Sequence, residues 1–321
     1  MNLESAAAHF LDGYFSTCRR SEKTHAAYGI DLAQFKAFCG SDQLLNVISV
    51  ETLERWAAEL TYRKYAPESV RRKFATLRVF FGYWVRKGDL DTSPLWRIRL
   101  DLGRQPLLPR GLMASDAKRL LDGAWAGVAA HRLVHCEPRD RGFLALRNLV
   151  ALELLFATGM RVGELVSLRL KDWREDDQSF VVQGKGDRQR LAILPDDRSV
   201  AAVQAYLPKR RALQVGQDAL LLNAAGRPLS TQGVARVLDR FAHQAGVPTH
   251  VTPHMIRHTV ATLLLRHGAD IRVVQEVLGH TSITTTQRYT HVSKEHLMET
   301  LRAHHPSRHM SVTTSALGIP A

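Results

Sequence analysis

The chain has 321 residues, 45% of them hydrophobic and 23% charged, proportions that exclude collagen-like, disulfide-scaffold and largely disordered chains and suit two cores. Its 44 Lys plus Arg outnumber 31 Asp plus Glu for a net charge of +13, which points to polyanions, nucleic acid first, as the partner class. Three widely spaced cysteines, Cys18, Cys39 and Cys136, form no C-x-x-C pair, which argues against a disulfide framework or a cysteine zinc site and for a reducing compartment. The best apolar run, Leu149 to Met160, is broken by Glu153 and too short for a bilayer, so the expected location is the cytoplasm and no membrane partner is expected.

The amino-terminal region reads as helical. Tyr28, Leu32, Phe35 and Phe38 recur at three- and four-residue intervals in a helix beginning near Ser21. Ser49 with Glu51 and Glu54 opens a second, through Leu53, Trp56 and Leu60. Pro67 and Glu68 open a third, with the stripe Val70, Phe74, Leu77, Phe81 and Trp84 and a stop at Gly88. Residues 61–110 hold twelve Lys/Arg against four acids. Within the third helix Arg71, Arg72, Lys73 and Arg78 read as contacts to a nucleic-acid backbone, because no acid at i±4 balances the excess.

Pro94, Gly103, Pro106, Pro109 and Gly111 interrupt the pattern, making 93–112 the expected linker between a helical domain at 1–92 and a second domain at 113–300, followed by a tail at 301–321. In the second domain Ser115 and Asp116 start a helix, 123–139 reads as irregular, and Phe143 to Thr158 reads as a long buried helix ended by Gly159. Phe180–Gln183 and Arg190–Leu194 read as a hairpin around Gly184-Lys185-Gly186-Asp187. Helices follow at about 197–213, 231–245, 253–267, 271–278 and 293–303. In the last, Leu297, Met298 and Leu301, with Val292, form an apolar stripe suited to a neighbouring protomer. The fold class is therefore mainly α with a small antiparallel sheet.

Candidate chemistry falls at five places. Arg161 lies at a helix N-terminal turn suited to an oxyanion, with Glu164 three residues on. Lys185 sits at a glycine-flanked hairpin tip. His254 and Arg257 share one face of the helix opened by Thr252-Pro253. His280 follows the helix-ending Leu278-Gly279, and Tyr289 lies nine residues later. His254 and His258 at i, i+4 do not make a metalloprotease zinc pair, since Met255 stands where the general-base Glu is needed. No metal and no cofactor are expected.

Together these strings resemble the tyrosine recombinase (phage integrase) family over almost the whole second half. They are Ala157-Thr158-Gly159-Met160-Arg161 with Glu164-Leu165, Gly184-Lys185-Gly186, and Thr252-Pro253-His254 through Arg257-His258-Thr259. Gly268-Ala269-Asp270, Leu278-Gly279-His280 and Thr286-Gln287-Arg288-Tyr289-Thr290-His291 complete them. The first three helices look like that family's core-binding, SAM-like domain.

Metal-free phosphodiester cleavage needs a nucleophile, neutralised phosphoryl oxygens and a proton for the leaving oxygen. Tyr289 suits the first role and the forked guanidinia of Arg161 and Arg257 the second. Lys185 suits the third, with His254 assisting the phenol and His280 hydrogen-bonding a non-bridging oxygen. The resemblance implies the same roles and adds a 3′-phosphotyrosyl intermediate that makes ATP unnecessary. It further implies duplex DNA with inverted half-sites, a homo-tetramer at synapsis and exchange through a Holliday junction. A partner recombinase or accessory factor is a further candidate. A type IB topoisomerase-like enzyme would share the cleavage chemistry. A DNA-binding protein without catalysis is disfavoured by the intact residue set.

Overall fold

The computed structural model describes residues 1–18, 22–102, 111–131, 137–184, 189–213, 215–279 and 294–309. The chain divides into two compact units, Met1–Pro106 and Leu107–Ala321.

The first unit contains helices α1 (Leu3–Thr17), α2 (Glu22–Cys39), α3 (Val50–Tyr62) and α4 (Pro67–Lys87). Pro67 occupies the first turn of α4, where its missing N–H costs nothing, and Gly88 ends it at φ +83°. The apolar stripes meet in an aromatic core: Phe35 packs on Trp56 at 4.9 Å between ring centroids and Trp56 on Phe74 at 5.2 Å. Leu95 is buried in this core and Ile98, Leu100 and Leu102 pack on it. The stretch 95–102, expected within a linker, thus belongs to the body of the first unit.

At the centre of this unit Asp31 is fully buried on α2. It accepts from Arg72 Nη1 at 2.5 Å, Lys73 Nζ at 3.0 Å and Thr76 Oγ1 at 2.9 Å, all on α4. Lys73, only 2% exposed, also donates to Gln34 and lies over the Tyr65 ring. This corrects the expectation for Lys73: it is an interior cation that neutralises a buried carboxylate. Arg71 pairs with Glu68 one turn back. Arg72 and Arg78 are exposed on the outer face of α4.

The second unit contains α5 (Ala114–Ala129), α6 (Arg141–Thr158), α7 (Val162–Ser167), strands β1 (Trp173–Arg174), β2 (Ser179–Gln183) and β3 (Gln189–Ile193), then α8 (Asp197–Ala212), α9 (Thr231–Gln244), α10 (Pro253–Arg266), α11 (Ile271–Leu278) and α12 (Lys294–His304). The helix α6, capped by Asp140 accepting from Phe143 N–H at 2.8 Å, is buried on nearly all sides, with α5, α8 and α10 packed round it. The strands form one antiparallel sheet in the order β1-β2-β3, with Phe180 opposite Ala192 and Val182 opposite Arg190.

Two expectations change here. Residues 123–129, expected to be irregular, continue α5, because Ala124, Trp125 and Val128 are buried in the core. The stripe assigned to a neighbouring protomer packs at home instead: Leu297 and Leu301 are buried in the same core and Met298 lies against it. Val292 lies outside the described residues.

Candidate active site

The site is built where two helices end. The helix α6 stops at Gly159 (φ +58°) and α11 at Gly279 (φ +63°), both left-handed, as glycine allows without a Cβ penalty. The last carbonyls of a helix have no partner within it, and here arginines take them up. Arg257, buried on the first turns of α10, donates from Nη1 to the Gly159 carbonyl at 2.9 Å and from Nη2 to the Leu278 carbonyl at 2.7 Å. Arg161, the N-cap residue of α7 and 40% exposed, donates from Nη2 to the Gly279 carbonyl at 3.1 Å and from Nη1 to Glu164 Oε1 at 2.8 Å. Two guanidinia far apart in sequence are thus fixed on neighbouring carbonyls of the same turn.

Glu164 is the carboxylate of this cluster. Its Oε2 accepts the Arg161 backbone N–H at 2.9 Å and Arg190 Nη2 at 2.7 Å. Two guanidinia, those of Arg161 and Arg190, are therefore held by one carboxylate, whose charge also acts on Arg257, and Glu276 adds a smaller negative influence on Arg190. Burial pushes the Arg257 guanidinium down to about 10, with the Arg161 charge acting in the same direction. The surplus positive charge suits a phosphoryl group, whose charge increases as a fifth oxygen approaches.

His254 stands exposed on the first turn of α10, with Thr252 capping that helix by accepting the Met255 N–H at 3.2 Å. The structure thus gathers Arg161, Arg257 and Glu164, and carries His254 on the same helix as Arg257. Lys185, His280 and Tyr289 lie outside the described residues. Among the described residues no cluster of His, Cys, Asp or Glu could hold a metal ion, and no helix is long and apolar enough to cross a membrane.

The sequence reading missed Arg190. Its signal is a matter of register: on β3, opposite Val182, it falls on the sheet face that buries Phe180, Val182 and Ala192. A cation on that face needs a carboxylate partner.

Residues 130–296 match the phage integrase family, and residues 7–88 match the phage integrase N-terminal SAM-like domain. The chain is 34% identical over 312 residues to "Tyrosine recombinase XerC" of Listeria monocytogenes, covering 92% of this chain and 96% of that one. It is 35% identical over 296 residues to "Tyrosine recombinase XerD" of Listeria innocua, covering 89% and 93%. In fold it is similar to a lambda integrase tetramer bound to a Holliday junction, with a TM-score of 0.66, 18% identity and coverage of 88% and 76%.

Proposed function

The chain belongs to the phage integrase family, and on that premise we propose that it is a site-specific tyrosine recombinase that cuts and rejoins duplex DNA through a 3′-phosphotyrosyl intermediate, without ATP or metal. The observation that carries this reading is the convergence of Arg161 and Arg257 on the Leu278–Gly279 turn. It makes a two-armed guanidinium cradle immediately before His280.

Tyr289 attacks the phosphorus, forming a P–O bond to its phenolic oxygen while the bond to the 5′ oxygen breaks. A phenol with an ordinary pKa of about 10 needs help at neutral pH, and His254 takes its proton. Lys185 gives a proton to the leaving 5′ oxygen. Arg161 and Arg257 neutralise the non-bridging oxygens, assisted by His280. The reverse steps, with the 5′ hydroxyl of another strand as nucleophile, reseal the duplex. The first unit grips the DNA backbone through Arg71, Arg72 and Arg78, and the second performs the chemistry. Four protomers assemble on paired inverted half-sites in the cytoplasm, in keeping with the tetrameric relative.

A nicked duplex whose cleaved fragment diffuses away should trap the wild-type protein covalently at the 3′ side of the break in EDTA. The adduct should map to Tyr289, and Tyr289→Phe should bind without capture. An adduct on another residue, capture by the Phe variant or strict dependence on a divalent metal would overturn the mechanism. Plasmid relaxation with no recombinant product would favour a topoisomerase-like activity instead.

A further inference from the structure

Arg190 is the one guanidinium of the cluster that the cleavage chemistry leaves without a task. Its side chain is 10% exposed. One nitrogen, Nη2, holds Glu164 Oε2 at 2.7 Å, while Nε and Nη1 are buried with no hydrogen-bond partner among the described residues. Leaving such donors unmet costs stability, so other contacts of this side chain must hold it there. One of these is with the Leu278–Gly279 turn: a Cβ added to Gly279 would lie 2.6 Å from Arg190 Nε and 3.0 Å from its Cδ. Gly279 thus leaves the space in which the Arg190 side chain lies.

We propose that Arg190 is a positioning residue for the phosphate cradle, tying β3 to both Glu164 and the Gly279 turn so that Arg161 and Arg257 present a fixed pair of forks. The inference rests on the recombinase reading above. Arg190 acts through two routes. By occupying Glu164 Oε2 it fixes the carboxylate that orients the Arg161 fork through Oε1. By packing on Gly279 it supports the turn whose carbonyls, Leu278 O and Gly279 O, accept Arg257 Nη2 and Arg161 Nη2. With its head nearly buried and Nη2 committed to Glu164, Arg190 is assigned to a place behind the cradle and not to the phosphate itself. A cleavage rate that depends on the relative placement of two guanidinia can fall about a hundredfold for a misplacement of about 1 Å, so loss of this tie should appear in rate and leave DNA affinity nearly untouched.

The test is a double-mutant cycle on single-turnover covalent capture of a nicked duplex, with half-site affinity measured alongside. Arg190→Met should slow capture at least tenfold while half-site affinity stays within twofold of wild type, and Arg190→Lys, which keeps a charge near Glu164, should fall between. In the Glu164→Gln background, Arg190→Met should add less than its single effect, because one of its routes is already cut. Capture at wild-type speed by Arg190→Met would overturn the proposal, as would a double variant slowed by the full product of the singles; loss of affinity in step with rate would make Arg190 a DNA contact instead. If Arg190→Met fails to fold, the same cycle run with Arg190→Lys decides. Absence of capture by the wild-type protein would count against the recombinase reading, a result distinct from all of these.

Discussion

Gly159→Ala probes the cradle at its most constrained point. At φ +58° an alanine costs about 1–2 kcal/mol relative to glycine. Its Cβ would also stand 2.6 Å from Leu278 Cδ2 and 3.4 Å from Val260 Cγ1. Leu278 and Val260 are both buried, so neither can swing toward solvent. Overpacking of this kind adds about 1–3 kcal/mol, for a total of about 3 kcal/mol. For a unit of this size that is a fall in Tm of about 10 °C. Because the Gly159 carbonyl holds Arg257 Nη1, the same displacement should slow covalent capture at temperatures where the variant is folded. Gly123→Ala is the control: it lies inside α5, nothing approaches its Cβ position, and it should gain up to about 1 kcal/mol. Leu278→Ala removes the obstructing methyl group, so its combination with Gly159→Ala should be less destabilised than the sum of the two singles. Urea unfolding followed by tryptophan fluorescence reads the four variants beside wild type. A Gly159→Ala variant within 1 kcal/mol of wild type with undiminished capture would refute the argument.

Lys73→Ala should cost about 3 kcal/mol by stripping a partner from buried Asp31 while leaving the salt dependence of DNA binding unchanged. Arg78→Ala should flatten the log K against log salt slope by about one with little loss of stability, and equal flattening by both variants would put Lys73 back on the DNA. His305 is buried, and burial pushes its imidazole down to about 4 from an ordinary 6.5, with Arg198 acting in the same direction and Asp196 opposing. The unfolded chain therefore binds the extra proton between those values, so this contribution is complete above pH 6.5 and drains as pH falls toward 4. Between pH 7 and 4.5 wild type should lose about 2 kcal/mol more than His305→Asn in urea titrations, and equal losses would remove His305 from the account.

What the sequence made legible was local. The stripes and caps of α3, α4 and α10 need only their own residues, and the motif arginines announce themselves by neighbours one turn away. The misreadings were all tertiary. A search for balancing acids at i±4 on α4 cannot see Asp31 on another helix, so Lys73 looked like a surface cation. Gly123 and Gly127 lower helix propensity, yet burial of Trp125, with its Nε1 donating to Glu153 at 2.6 Å, outweighs them. Strand β1 is two residues long and owes its existence to pairing with β2. Arg190 became visible once the β2–β3 register was known.

Holding the Arg257 guanidinium on main-chain carbonyls has a consequence for how the site responds to its surroundings. A carboxylate can be protonated or replaced by mutation, whereas a carbonyl has no proton to gain in the physiological range and is supplied by whichever residue occupies its position. The hold on Arg257 should therefore be indifferent to pH and to side-chain drift along the last turns of α6 and α11. Sensitivity is concentrated in the path of the backbone. Two glycines, Gly159 and Gly279, set that path, and changes there reach the chemistry without altering any charged group.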